Sequence, residues 1–123
     1  SPVPFAHKLA LLRQVADISR RMHAAGICHR DFYLCHFLLA DNASRLTVID
    51  LHRALVKKSL GRRWIIKDLG GLWFSAMDIG LRQSDFLRFI KLYRQRPLRE
   101  VLGEGLAFWR QVQARAEKLY RRK

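Results

Sequence analysis

The chain has 123 residues, 50% of them hydrophobic, and sets 24 Lys and Arg against 10 Asp and Glu for a formal net charge of +14 at pH 7. This is one domain's worth of sequence with enough apolar residues for a core, and its 7 Gly and 3 Pro exclude a collagen-like or low-complexity chain. The longest uncharged apolar-rich stretch, Leu69 to Met77, is about half of what a membrane-spanning helix needs.

The two cysteines make no disulfide framework and fit a reducing compartment, and Ser1 to Lys8 does not read as an export signal. The cation excess predicts an anionic partner: nucleic acid, a phosphorylated glycan or an acidic membrane leaflet.

Taken in chain order, Leu11, Val15, Ile18 and Met22 recur at alternating steps of four and three, with Pro4 suited to a first turn and Gly26 to a stop. This predicts an amphipathic helix over 4–25. Ile27-Cys28, Phe37 to Ala40 and Leu46 to Ile49 read as short strands, and a polar turn joins the last two into a hairpin over 37–49. Residues 53–67 carry Arg53, Lys57, Lys58, Arg62, Arg63 and Lys67 without one acid and are expected to form a basic loop. An almost wholly apolar helix is expected over 64–80, a second over 84–96 capped by Ser84 and stopped near Pro97, and a third over 98–122 frayed by Gly103 and Gly105. The fold class is therefore mainly α with a small β-hairpin.

The chemistry sits in the centre. His29-Arg30-Asp31 opens a loop over 29–36 that leads into the hairpin, and the hairpin's far strand closes on Val48-Ile49-Asp50 in a segment over 50–53. Two carboxylates flanking one hairpin suit phosphoryl transfer: Asp31 to orient an attacking hydroxyl and accept its proton, Asp50 to hold the Mg²⁺ that bridges nucleotide phosphates. His29 weighs more as a packed histidine than as a proton carrier, and Arg30 stays open between a salt bridge and a phosphate contact. Zinc on Cys28, His29, Cys35 and His36 is disfavoured, because adjacent residues in a strand point to opposite sides.

These blocks, together with Val48-Ile49-Asp50-Leu51-His52-Arg53-Ala54, Lys67-Asp68-Leu69, Phe74 to Leu81 and Arg96-Pro97-Leu98-Arg99-Glu100, resemble the Kdo/WaaP lipopolysaccharide kinase family in its heptose(I) kinase branch. The resemblance implies the C-terminal lobe of a protein-kinase-like fold. It also implies ATP- and Mg²⁺-dependent transfer of a γ-phosphate to the first heptose of the lipopolysaccharide inner core, at the cytoplasmic face of the inner membrane and peripheral to it. Carried over by residue, Asp31 is the catalytic aspartate within the His29-Arg30-Asp31 motif, Asp50 the metal carboxylate, and Asp68 the anchor of the catalytic-loop backbone. The alternative for Asp68 is a carboxylate favoured by a helix N-terminus. Arg53, Lys57, Lys58, Arg62, Arg63 and Lys67 would face the anionic acceptor and the membrane.

The sequence also departs from protein kinases. His36 stands where they place a metal-binding Asn, and imidazole suits Mg²⁺ poorly. Leu51-His52 follows the metal aspartate in place of Phe-Gly, and Gly103-Glu104-Gly105 is no phosphate loop. No glycine-rich strand hairpin or strand lysine lies ahead of the first helix, so the expectation is a C-lobe portion whose partner is a missing N-lobe and which binds ATP weakly alone. A non-catalytic basic module that docks on an anionic glycolipid or membrane is the alternative. Nucleic-acid binding is disfavoured, since no helix shows a base-contacting pattern.

Overall fold

A computed structural model describes residues 5–39 and 45–123. Pro4, Ala40 and the hairpin turn at 41–44 lie outside the described residues. Helix α1 (Phe5–Ala24) buries Val15, Ala16, Ser19, Met22 and His23, the three-and-four spacing that gives a helix one inward face. It stops at Gly26, whose φ of +84° is one that side chains with a Cβ seldom adopt. A Cβ there would also lie 1.9 Å from the Lys57 carbonyl oxygen, where the chain later crosses back.

The strands are short. β1 (Ile27–Cys28) pairs antiparallel with β4 (Leu55–Val56), with Ile27 opposite Val56 and Cys28 opposite Leu55. β2 (Phe37–Leu39) pairs with β3 (Leu46–Val48), with Phe37 opposite Val48. Three helices complete the chain: α2 (Arg62–Ala76), α3 (Gln83–Arg94) and α4 (Leu98–Arg121). α2 packs along α4 and α1 along α3, around Leu69, Leu72, Phe86, Phe89, Ile90, Tyr93, Phe108, Trp109 and Val112. Burying each such side chain contributes about 1.5–3 kcal/mol, which is why aromatics dominate this core. The observed class is mainly α with a small antiparallel hairpin, as the patterning predicts.

Three expectations need correction. Residues 53–67 are not one loop, because Leu55–Val56 finds strand pairing with β1 and α2 begins at Arg62, ahead of the expected 64. The start of α3 is fixed by Asp85 rather than Ser84: its carboxylate reaches back to accept the Arg82 N–H at 2.9 Å, while Lys8 Nζ from α1 lies 2.8 Å away. Gly103 and Gly105 do not interrupt α4, which runs unbroken. The buried stripe of Val101, Phe108, Trp109, Val112 and Ala116 outweighs the roughly 1 kcal/mol that each glycine costs.

Candidate active site

The loop over 29–36 leaves β1, lies across α2 and enters β2. One face of α2 receives it. Asp68 accepts the backbone N–H of His29 at 2.8 Å and of Arg30 at 2.9 Å, and two turns later Ser75 Oγ accepts the N–H of Leu34 at 2.9 Å. Gly71 lies between them, and a Cβ there would come within 3.2 Å of the Tyr33 ring and 3.4 Å of the Phe32 carbonyl oxygen. Asp68, Gly71 and Ser75 are spaced three and four apart, so they share one helix face and form a cradle for the loop backbone.

Asp68 is buried, at 1% exposed, and its charge is held by what surrounds it. Burial alone would raise its pKa. Hydrogen bonds from the His23 side chain and from the Arg30 and His29 N–H groups outweigh that and hold it below the usual carboxylate range. His23 Nε2 donates to Asp68 Oδ2 at 2.8 Å, and Tyr93 Oη donates to His23 Nδ1 at 2.8 Å, so a buried chain runs from α3 through α1 to α2 and the loop. The same low-dielectric setting, with the Asp68 carboxylate alongside, pushes the Cys28 thiol up to about 12.

His29 is fully buried. Its Nε2 donates to the Ile49 carbonyl at 2.8 Å and its Nδ1 accepts the Asp31 N–H at 3.2 Å. Both ring nitrogens are thus committed to backbone, and the side chain joins the loop to the residue before Asp50. Arg30 holds a φ of 77° and Asp50 a φ of 61°, two of three positive-φ non-glycine residues among those described. Such backbone costs on the order of 1–3 kcal/mol per residue and persists where surrounding contacts enforce it. Here the Asp68 bond enforces it at Arg30, and the Ile49 N–H bonded to the His36 carbonyl at 2.8 Å helps to enforce it at Asp50.

His36 connects the two carboxylate-bearing positions. Its Nδ1 donates to the Asp31 carbonyl at 2.6 Å, its Nε2 lies 3.3 Å from Asp50 Oδ2, and its ring stacks on His29 at 5.5 Å between centroids. Asp31 Oδ1 pairs with Arg53 Nη1 at 2.8 Å. The Asp50 carboxylate is 53% exposed, with oxygen lone pairs facing solvent, which fits a cation that keeps most of its water and phosphate ligands. Among the described residues no group of three or more His, Cys, Asp or Glu could hold a metal by itself. The exposed Asp50 carboxylate would suit a nucleotide-borne Mg²⁺, and the His36 ring, bonded to the Asp31 carbonyl, suits a hydrogen-bonding role better than a ligand's.

The six basic positions separate. Arg53 sits on Asp31; Lys57, Arg63 and Lys67 gather around the Trp64 ring at 5.5, 4.8 and 5.3 Å; Arg62 lies over Phe108 at 5.5 Å. Lys58 is exposed. Arg63 and Lys67 then join Arg115 and Lys118 of α4 around a groove of about 360 Å³ with Ile66 and Ala114 in its lining. Sequence reasoning missed His23, Tyr93 and Ser75. The three-and-four spacing of Asp68, Gly71 and Ser75 was the available signal for Ser75, whereas nothing local marks His23 or Tyr93.

Comparison with known proteins places the chain in a family. The profile of the lipopolysaccharide kinase (Kdo/WaaP) family matches residues 3–93. The lipopolysaccharide core heptose(I) kinase WaaP of Pseudomonas aeruginosa (strain PAO1) is 50% identical, over 99% of this chain and 48% of its own length. The protein of the same description from Escherichia coli K12 is 42% identical, over 99% of this chain and 48% of its own. A solved structure described as WaaP in complex with acyl carrier protein superposes with a TM-score of 0.85 at 45% identity, covering 97% of this chain and 52% of that one. The chain spans about half the length of the relatives it matches. It belongs to the lipopolysaccharide kinase (Kdo/WaaP) family, on the heptose(I) kinase branch.

Proposed function

We propose that this chain supplies the catalytic lobe of a kinase that transfers the γ-phosphate of ATP to a hydroxyl of the first heptose in the lipopolysaccharide inner core. The observation that carries this reading is His36, whose single ring touches both the Asp31 carbonyl and the Asp50 carboxylate and so keeps a base and a metal carboxylate beside one another. Asp31 orients the acceptor hydroxyl and takes its proton; Arg30, His29 and Asp68 hold the loop that presents it. A Mg²⁺ bound through Asp50 would neutralise charge on the nucleotide phosphates. A second, N-terminal lobe would cover the nucleotide.

The work would be done at the cytoplasmic face of the inner membrane, where Lys57, Lys58, Arg62, Arg63 and Lys67 meet an anionic surface. No helix among the described residues is long and apolar enough to cross a membrane, which fits peripheral attachment. The basic groove between α2 and α4 also has the charge to meet an acidic protein surface, and a related WaaP has been solved in complex with acyl carrier protein.

The test is transfer of labelled phosphate from ATP to heptose-bearing lipopolysaccharide by the kinase containing this chain, with and without Asp31→Asn. Incorporation should fall at least about a thousandfold, since a misplaced or missing base and its orientation are both lost, while the melting temperature stays put. Undiminished transfer in the variant would remove Asp31 from the chemistry, and no transfer by the folded wild type would instead favour a non-catalytic module that binds anionic surfaces.

A further inference from the structure

We propose that Arg53 is a catalytic residue of this kinase: its guanidinium, seated on Asp31, is the protein cation that meets the oxygens of the transferred phosphoryl group. The inference rests on the kinase reading above and adds a residue role to it.

Phosphoryl transfer gathers negative charge on the equatorial oxygens of the moving group, and a cation other than the metal is needed against them. Across the loop and β2, residues 29–39, Arg30 is the one Lys or Arg, and its backbone is held by Asp68. Of the other cations of the basic stretch, Lys57, Arg63 and Lys67 gather around Trp64, Arg62 lies over Phe108, and Lys58 is exposed two residues beyond the strand that follows Arg53. Among the described residues, Arg53 is the cation in contact with the Asp31 carboxylate.

Its backbone is well placed for the task. Arg53 closes a turn of 3₁₀ helix immediately after Asp50, sealed by the Ala54 N–H on the Leu51 carbonyl at 3.0 Å. Leu55 then pairs with Cys28 at the root of the catalytic loop. The main chain is thereby fixed on both sides, and the long side chain carries the freedom. That side chain is 51% exposed whereas Asp31 is 17% exposed, so the guanidinium has one edge on the carboxylate and another open to an incoming group. Of its five N–H donors the recorded bond uses Nη1, which leaves others for the forked bonding that arginine makes to phosphate and lysine cannot.

The step balances. The acceptor oxygen bonds to the γ-phosphorus and the bond from that phosphorus to the β,γ-bridging oxygen breaks. Its electron pair leaves with ADP, and the hydroxyl proton passes to Asp31. Arg53 keeps its proton throughout and contributes charge and geometry. Its bond to Asp31 would turn the carboxylate towards the hydroxyl at the same moment.

The experiment is a phosphorus-31 NMR titration, at low salt, of the kinase containing this chain with Mg²⁺-tripolyphosphate and Mg²⁺-pyrophosphate, on the wild type, Arg53→Gln and Arg53→Lys, with melting temperatures measured in parallel. The wild type is expected to hold tripolyphosphate roughly tenfold more tightly than pyrophosphate, a preference that Arg53→Gln abolishes and Arg53→Lys retains in part. A preference that survives intact in a folded Arg53→Gln overturns the assignment and leaves the kinase reading standing. If the folded wild type binds neither polyphosphate, the phosphoryl-transfer reading fails and the assignment falls with it. Should Arg53→Gln fail to fold, an undiminished preference in Arg53→Lys overturns the forked-bond role and a weakened one supports it.

Discussion

A carboxylate sealed in a protein interior costs several kcal/mol unless donors surround it, and Asp68 has three: one imidazole N–H and two backbone N–H groups. Its depressed pKa gives the sign of the pH dependence. A group bound less tightly to its proton in the folded state stabilises the fold fully above its unfolded value, near 3.8, and loses that contribution as pH falls through the lower folded value. Unfolding measured against pH should therefore show a steep loss below about pH 4, and Asp68→Asn should flatten that limb. The same substitution places an amide NH₂ among N–H donors and should cost about 3 kcal/mol at neutral pH, roughly 10 °C in melting temperature. Asp68 is legible because it follows a basic run in the block Lys67-Asp68-Leu69, but α2 begins at Arg62, so Asp68 stands two turns into the helix and not at the N-terminus that would favour a carboxylate. The partners of Asp68 are not: His23 and Tyr93 lie 45 and 25 residues from it, and neither carries a mark that distinguishes a buried relay from ordinary core. In the sequence Arg53 is one cation among six, since no pattern in a solvated charge run says which member turns back onto the Asp31 carboxylate.

At the scale of elements, α2 serves two masters on two faces. One carries Asp68, Gly71 and Ser75 beneath the loop over 29–36; the other carries Gly70 against α4, where a Cβ would stand 2.5 Å from Arg115 Cγ and 3.4 Å from the Val112 carbonyl oxygen. Gly70→Ala would gain about 1 kcal/mol of helix propensity, yet it must push α4 or the Arg115 stem away, and overpacking of that kind costs about 1–3 kcal/mol. A net destabilisation of about 1 kcal/mol is expected in chemical denaturation. An unchanged or raised midpoint would mean that Arg115 yields without moving α4. The long helices were legible from periodicity, because a stripe sustained over three or more turns leaves little ambiguity. β4 was hidden because two residues inside a run of cations carry no alternation, and only the partner strand at Ile27–Cys28 makes them a strand.

At the scale of the molecule, a net charge of +14 favours an anionic partner and predicts a salt-dependent interaction with it. Exposed cations near an acidic leaflet contribute on the order of 1 kcal/mol each, and screening erodes that within a Debye length of about 10 Å at 0.1 M salt. Replacing Arg62 and Arg63 with Ala should weaken sedimentation with phosphatidylglycerol-containing vesicles by roughly thirtyfold at low salt, and the gap to wild type should close as salt rises. A deficit that ignores salt would assign the pair to packing, Arg62 through Phe108 and Arg63 through Trp64. Composition alone predicts an anionic partner; the packing of α2 against α4 adds Arg115 and Lys118 beside Arg63 and Lys67, a clustering that composition does not disclose.

The central claim is that residues 31 and 50 serve one metal-nucleotide site. Paramagnetic broadening by Mn²⁺-ATP, read from the amide resonances of this chain, tests it most directly. The account predicts that broadening centres on Asp31, His36 and Asp50 and disappears in Asp50→Asn. Broadening centred elsewhere, or undiminished in that variant, would contradict it.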